Sequence, residues 1–319
     1  MAQSSIVSTD TKLTLSYTKL GLSSDTQTVD LAQCLSAVNR RFYRQGMNYA
    51  VQSIEAFSAN SGARVAIAII PTTWVADNAT TRAYIAWNAQ RAAVMKEQPS
   101  MKSKWSDFKL FMDSAHVSAG TAGNLPPLDS FGAPYALGEW TASEMVFPVT
   151  GGSGGTGAAN QQTMHVVGDN IPNGNFTVGK TSFSLIEAYA NSRRTEQNPD
   201  PSTTGVSETT NPYATLSIPD SLFQDVAENL VDNNDLAPYV MNEYPGGAIQ
   251  APVLQYFDDL RLNNFGDATQ FSSDMTSSLV VPFGLLRLQF SNMNEGDSVA
   301  IVINCVPGSY KGVLAERGV

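Results

Sequence analysis

Apolar and polar residues alternate with period two in many short stretches of this chain, the spacing of half-buried β-strands. Thr11–Tyr17 (TKLTLSY), Tyr49–Phe57, Ala63–Ile70 and Trp105–Met112 (WSDFKLFM) read this way. So do Glu139–Val149, Thr163–Val167, Phe176–Ile186 and Val253–Leu262. The strongest strand signals are Ser278–Phe290 (SLVVPFGLLRLQF) and Ser298–Val306 (SVAIVINCV). Helical spacing is rarer. Val29–Tyr43 places apolar residues at 31, 34, 35, 38 and 42, with Asp30 as N-cap. Ala79–Lys96 is alanine-rich around Tyr84, Ile85 and Trp87 and predicts a second helix, and Asp220–Val231 a short third one.

About eight to ten strands with a few inserted helices, and no regular strand–helix alternation, predict a mainly β domain rather than a doubly wound sheet. A single jelly roll, an eight-stranded antiparallel sandwich with helices and long loops inserted, suits this pattern. An immunoglobulin-like sandwich with insertions is the rival, because strand order cannot be read from one sequence. The expected layout is one domain over residues 1–319. Residues 1–28 form an N-terminal segment, 190–250 a long polar surface excursion, and 307–319 a C-terminal strap.

Charged residues are only 15% of the chain and apolar residues 42%, which fits a β-rich protein whose surface is largely covered by neighbouring copies. The net charge of −10 excludes general attraction to a polyanion, so nucleic-acid contact requires a local cationic patch. The one dense cluster is Arg40, Arg41 and Arg44, interleaved with Phe42 and Tyr43. Arginine forks bind phosphates and aromatic faces stack bases, so these arginines are the candidate nucleic-acid contacts; bridging to acidic residues between subunits is the alternative. No apolar run approaches the roughly 18 residues of a membrane span, and no signal-peptide pattern opens the chain. Cys34 and Cys305 read as reduced and buried.

Catalytic signatures are weak. Gly174–Thr181 (GNFTVGKT) matches the phosphate-loop pattern, but Phe176, Thr177 and Val178 are bulky where backbone must approach phosphates closely. The following SFSLIEAY alternates as a strand rather than a helix. Gly152–Gly157 matches a dinucleotide fingerprint without the helix it needs. His116 and His165 lack a carboxylate at ligand spacing, and Asp232–Asp235 lacks the order of a calcium loop. No catalytic residue, metal site or cofactor is therefore expected; the alternatives to a structural role are a phosphate-loop-like NTPase, on the Gly174–Thr181 match, and an extracellular β-sandwich binding module.

Four blocks together resemble the capsid proteins of small circular Rep-encoding single-stranded DNA viruses of marine and environmental type. They are VDLAQCLSAVNRRFYRQGMNYAV (Val29–Val51), WSDF (Trp105–Phe108), NDLAPYVMNEYPGG (Asn234–Gly247) and VPGSYKGVLAERGV (Val306–Val319). The resemblance implies a jelly-roll subunit, an icosahedral shell of identical copies, packaged single-stranded DNA and a host receptor, with the virion as its location. The terminal block makes Tyr310, Lys311 and Arg317 the candidate intersubunit residues. One departure stands out: the arginine-rich arm of such proteins is missing. The first thirty residues carry Lys12 and Lys19 against Asp10, Asp25 and Asp30, so packaging would fall to folded surface.

Overall fold

The computed structural model describes residues 8–20, 25–59, 62–103, 107–148, 159–170, 182–194, 228, 253–263 and 272–318. The first half supplies strands β1 (Lys12–Thr18) and β2 (Thr26–Asp30), helix α1 (Leu31–Asn39), strands β3 (Met47–Ser58) and β4 (Ala63–Ile69), and helices α2 (Trp74–Glu97) and α3 (Ser114–Ala119). The middle adds β5 (Glu144–Pro148), β6 (Ala159–His165), β7 (Ser182–Ser184) and helix α4 (Leu185–Arg194). The remainder adds β8 (Gln255–Leu262), β9 (Ser272–Met275), β10 (Leu279–Val281), β11 (Leu285–Ser291) and β12 (Ser298–Cys305). Three short strands follow: β13 (Pro307–Gly308), β14 (Gly312–Val313) and β15 (Ala315–Arg317).

The protein is mainly β, with antiparallel sheets. The first sheet has the order β1-β12-β3-β10, and β9 and β15 also pair with β3; the second has the order β2-β11-β4-β8. Alternation drives the packing. In β1, Leu13, Leu15 and Tyr17 point inward and Lys12, Thr14 and Ser16 do not. Ile54, Ile301 and Ile303 join them from the first sheet, facing Val65, Ile67, Leu286 and Leu288 from the second. Tyr17 stacks on Phe290 across the gap, with ring centroids 4.1 Å apart. A second cluster starts where β4 and β11 meet the sandwich edge, at Ile70 and Leu285. It continues through α2, α4 and the small sheet β5-β6-β7. Among the described residues, no helix is long and apolar enough to cross a membrane.

Several sequence expectations need correction. The helix over Val29–Tyr43 is shorter: Thr26–Asp30 is a strand, and α1 stops at Asn39 with Arg40 left-handed (φ 53°, ψ 33°). Asn39, the last helical residue, is tied to the N-terminal segment. Its side-chain amide pairs with both backbone groups of Asp10, at 2.8 and 3.0 Å, instead of extending the helix face. Asp30 does cap α1, accepting the Gln33 N–H at 3.1 Å. The run Ser278–Phe290 is not one strand. Pro282–Gly284 turns a corner, with Phe283 and Gly284 at φ 56° and 68°, and carries the chain from β10 in one sheet to β11 in the other. A Cβ at Gly284 would come within 3.1 Å of the Tyr49 ring, so the position has neither the space nor the backbone for a side chain. Trp105–Met112 makes only the isolated bridge Phe111–His165 over its described part. The alternation over Phe176–Ile186 ends in helix α4 at Leu185. Most of the 190–250 excursion lies outside the described residues, as does the Asp220–Val231 helix apart from helical Glu228.

Candidate nucleic-acid interface

The Arg40–Arg44 segment and the C-terminal strap, 266 to 268 positions apart in the chain, pack against each other. The strap turns back at Lys311, left-handed at φ 51°, and at Gly312 at φ 100°. Tyr43 Oη donates to the Lys311 carbonyl at 2.9 Å, and the Arg44 N–H donates to Tyr310 Oη at 3.0 Å. The Lys311 ammonium donates to the Phe42 carbonyl. β15 then pairs with the start of β3, setting Arg317 opposite Met47. Tyr310 and Lys311 thus serve contacts within the chain, and two separate sequence candidates become one patch.

Its side chains are unequally engaged. Arg44, 58% exposed, lies 3.7 Å from Asp107 Oδ1 through its Nε. Arg41 Nη1 reaches Thr9 Oγ1 at 3.5 Å. Arg40 is exposed, and among the described residues its side chain has no hydrogen-bond or ion-pair partner. The end of the helix at Asn39 means that Arg40 and Arg44 do not share a helical face. Arg40, Arg41 and Phe42 form one wall of a groove of about 380 Å³, closed by Tyr135, Glu139 and Trp140.

Sequence reasoning missed Lys109. It is only 7% exposed, and its ammonium lies 4.7 Å from the Trp140 ring centroid and 5.5 Å from that of Phe42. Burial pushes its pKa down, opposed by the charges of Asp107 and Asp30. Lys311 flanks Phe42, Tyr43 and Tyr310 at 5.7 to 5.9 Å. The rings therefore hold the protein's own cations. Of the two rings expected from the sequence to stack on bases, Tyr43 is fully buried, and Lys109 and Lys311 lie 5.5 and 5.9 Å from the centroid of the partly buried Phe42 ring. The one sequence signal for Lys109 is a lysine inside the otherwise apolar FKLFM.

Asp30 anchors the patch from below. Fully buried, it accepts from the Gln33 N–H, from Gln45 Nε2 at 3.1 Å and from Trp140 Nε1 at 2.9 Å. Burial pushes its carboxyl up to about 6, against the pull of those hydrogen bonds. Gln45 also pairs with both backbone groups of Leu110, so the arginine loop, Trp140 and the Lys109 segment are fixed together.

Other chemistry finds little support. The Gly174–Thr181 match lies outside the described residues, as do Gly152–Gly157 and Asp232–Asp235. The next residues, Ser182–Ser184, form a strand parallel to β6, where a phosphate loop begins its helix. His165 pairs with Ser182 and, at 3.0 Å, with the Asp169 backbone carbonyl rather than a carboxylate; both side chains are sealed from solvent. Cys34 and Cys305 are buried and unbonded to each other. Among the described residues no three His, Cys, Asp or Glu side chains gather as metal ligands. No protein-family model, curated protein or solved structure matches the chain.

Proposed function

We propose that this chain is a viral coat subunit, a single jelly roll that assembles into a closed icosahedral shell around a nucleic-acid genome, and that it is not an enzyme. The observation that carries this reading is the strand pairing. β1 pairs with β12, β2 with β11, β3 with β10 and β4 with β8, all antiparallel. Early strands pair with late ones in nested order, as in one long hairpin rolled into two sheets, and that order supports the two-Greek-key plan of a jelly roll. An immunoglobulin-like order would set consecutive strands side by side two or three times. Here only β4 and β8 are consecutive neighbours among these eight strands.

Two of the capsid-like blocks, Val29–Val51 and Val306–Val319, meet through Tyr43, Arg44, Tyr310 and Lys311, which supports their belonging to one structural unit. The packaged strand, single-stranded DNA by the resemblance, meets the patch of Arg40, Arg41 and Arg44, where phosphate contact releases counterions. Among the described residues the Arg40 side chain has no partner, and Arg44 lies 3.7 Å from Asp107, so both guanidinium groups are available to phosphate. Nothing described favours nucleotide hydrolysis or an extracellular binding module.

The double substitution Arg40→Gln with Arg44→Gln is expected to give particles that assemble but hold much less nucleic acid. The absorbance ratio at 260 and 280 nm of purified shells reads this directly. Shells of unchanged ratio would refute the packaging role.

A further inference from the structure

The outer face of the second sheet carries a cationic pair unrelated to the Arg40–Arg44 patch. Arg64 of β4 and Arg261 of β8 are register partners on neighbouring antiparallel strands. Like charges in direct opposition repel each other, and most sheets avoid the arrangement. Here one carboxylate braces both. Asp259, two residues before Arg261 and so on the same face, accepts the Arg64 Nε–H on Oδ1 and the Arg261 Nε–H on Oδ2, the latter at 3.0 Å. The Asp259 side chain is only 9% exposed, and hydrogen bonding to Arg64 holds its pKa below the usual carboxylate range.

Both Nε groups are thereby used, and the two forks are fixed side by side. Tyr256 hydrogen-bonds the Arg64 side chain as well, whereas among the described residues the Arg261 Nη groups make no hydrogen bond. The two side chains border a polar opening of about 340 Å³, together with Gly62, Asn263 and Asn292. Among the described residues, two further carboxylates on these strands are turned to backbone: Asp258 accepts the Asp259 N–H at 2.8 Å, and Asp274 accepts those of Arg261 and Met275 at 2.9 Å. Paired guanidinium forks beside amide donors match the oxygens of a phosphate.

We propose that Arg64 and Arg261, braced by Asp259 and flanked by Asn263 and Asn292, form a phosphate clamp for the backbone of a single-stranded nucleic acid. The openness of the site selects the strand over the free ion. The arginine side chains are 44% and 71% exposed, so a single phosphate there stays largely hydrated and weakly held. A strand joins that contact to others along its length and gains by effective concentration. The proposal goes beyond the coat-protein reading and is measured on the purified chain whether or not it forms shells.

The test is fluorescence anisotropy with a labelled oligodeoxythymidylate of about 20 nucleotides, titrated over a range of salt. Arg64→Gln with Arg261→Gln is expected to weaken binding about tenfold at low salt. The slope of log K against log salt should fall by about 1.4, at about 0.7 per lost single-strand phosphate contact. Asp259→Asn separates a built clamp from mere charge. It makes the face more positive, yet it is expected to weaken binding because the forks lose their brace. Unchanged affinity in the double variant, absence of binding by the wild type, or tighter binding by Asp259→Asn would each overturn the proposal. Competition with inorganic phosphate distinguishes the two sources: displacement of the oligonucleotide at millimolar concentration would overturn the strand as the ligand.

Discussion

Asp30→Asn is expected to make the fold distinctly more acid-labile than its parent. The Asp30 carboxyl rises from its ordinary 3.8 to about 6 in the folded chain, chiefly through burial. The folded state then binds the proton more tightly than the unfolded one, so Asp30 adds stability as pH falls through 6 towards 4. His116 works in the opposite sense. Burial, then the charge of Arg287, pushes it from 6.5 down to about 4, and its Nδ1 accepts the Met112 N–H as a neutral ring. Its contribution is whole above pH 6.5 and is lost as pH falls towards 4. Each shift corresponds to about 3 kcal/mol, and the two oppose each other over nearly one window.

With Asp30 neutralised, the loss from His116 is no longer offset. Urea midpoints at pH 7, 5.5 and 4 should show the variant losing about 3 kcal/mol more than its parent on acidification. His116→Asn should shift the difference in the opposite direction. Asp77 and Asp107 are raised by burial and His165 lowered, but they act alike in parent and variants and cancel in the comparison. Parallel pH profiles for Asp30→Asn and its parent would remove Asp30 from the balance.

Asp113→Ala is expected to cost about 3–5 kcal/mol, more than the loss of any exposed ion pair. Arg287 projects from the middle of β11 and is buried there, held by Asp113, the residue that also caps α3 through the His116 N–H at 2.8 Å. Its Nε already has no hydrogen-bond partner among the described residues. Without Asp113 a buried guanidinium is left without its counter-charge and α3 without its cap. Arg287→Met removes the charge together with the contact and should cost clearly less. Equilibrium denaturation at pH 7 ranks the two, and an equal or larger loss for Arg287→Met would show that packing rather than charge dominates.

Legibility in the sequence followed the range of the interactions. β1, β4 and β12 were readable because alternation is a local consequence of one buried face, and Asp30 was readable as a cap three residues from its target. The break at Pro282–Gly284 was hidden, because both flanking stretches are strands and only their assignment to different sheets separates them. The end of α1 was hidden for a similar reason. It falls at a left-handed Arg40, beside an Asn39 that pairs with Asp10, 29 positions earlier. Arg40, Arg41 and Arg44 stood out by density, whereas Lys109 and the Arg64–Arg261 pair emerge only when strands from distant parts of the chain are aligned.

Self-assembly is the central claim, and sedimentation velocity of the purified full chain, with electron microscopy of the fastest fraction, tests it most directly. A coat subunit of 34.2 kDa predicts closed particles of megadalton mass and uniform diameter. Monomers or dimers alone, across the full range of salt and pH, would contradict it.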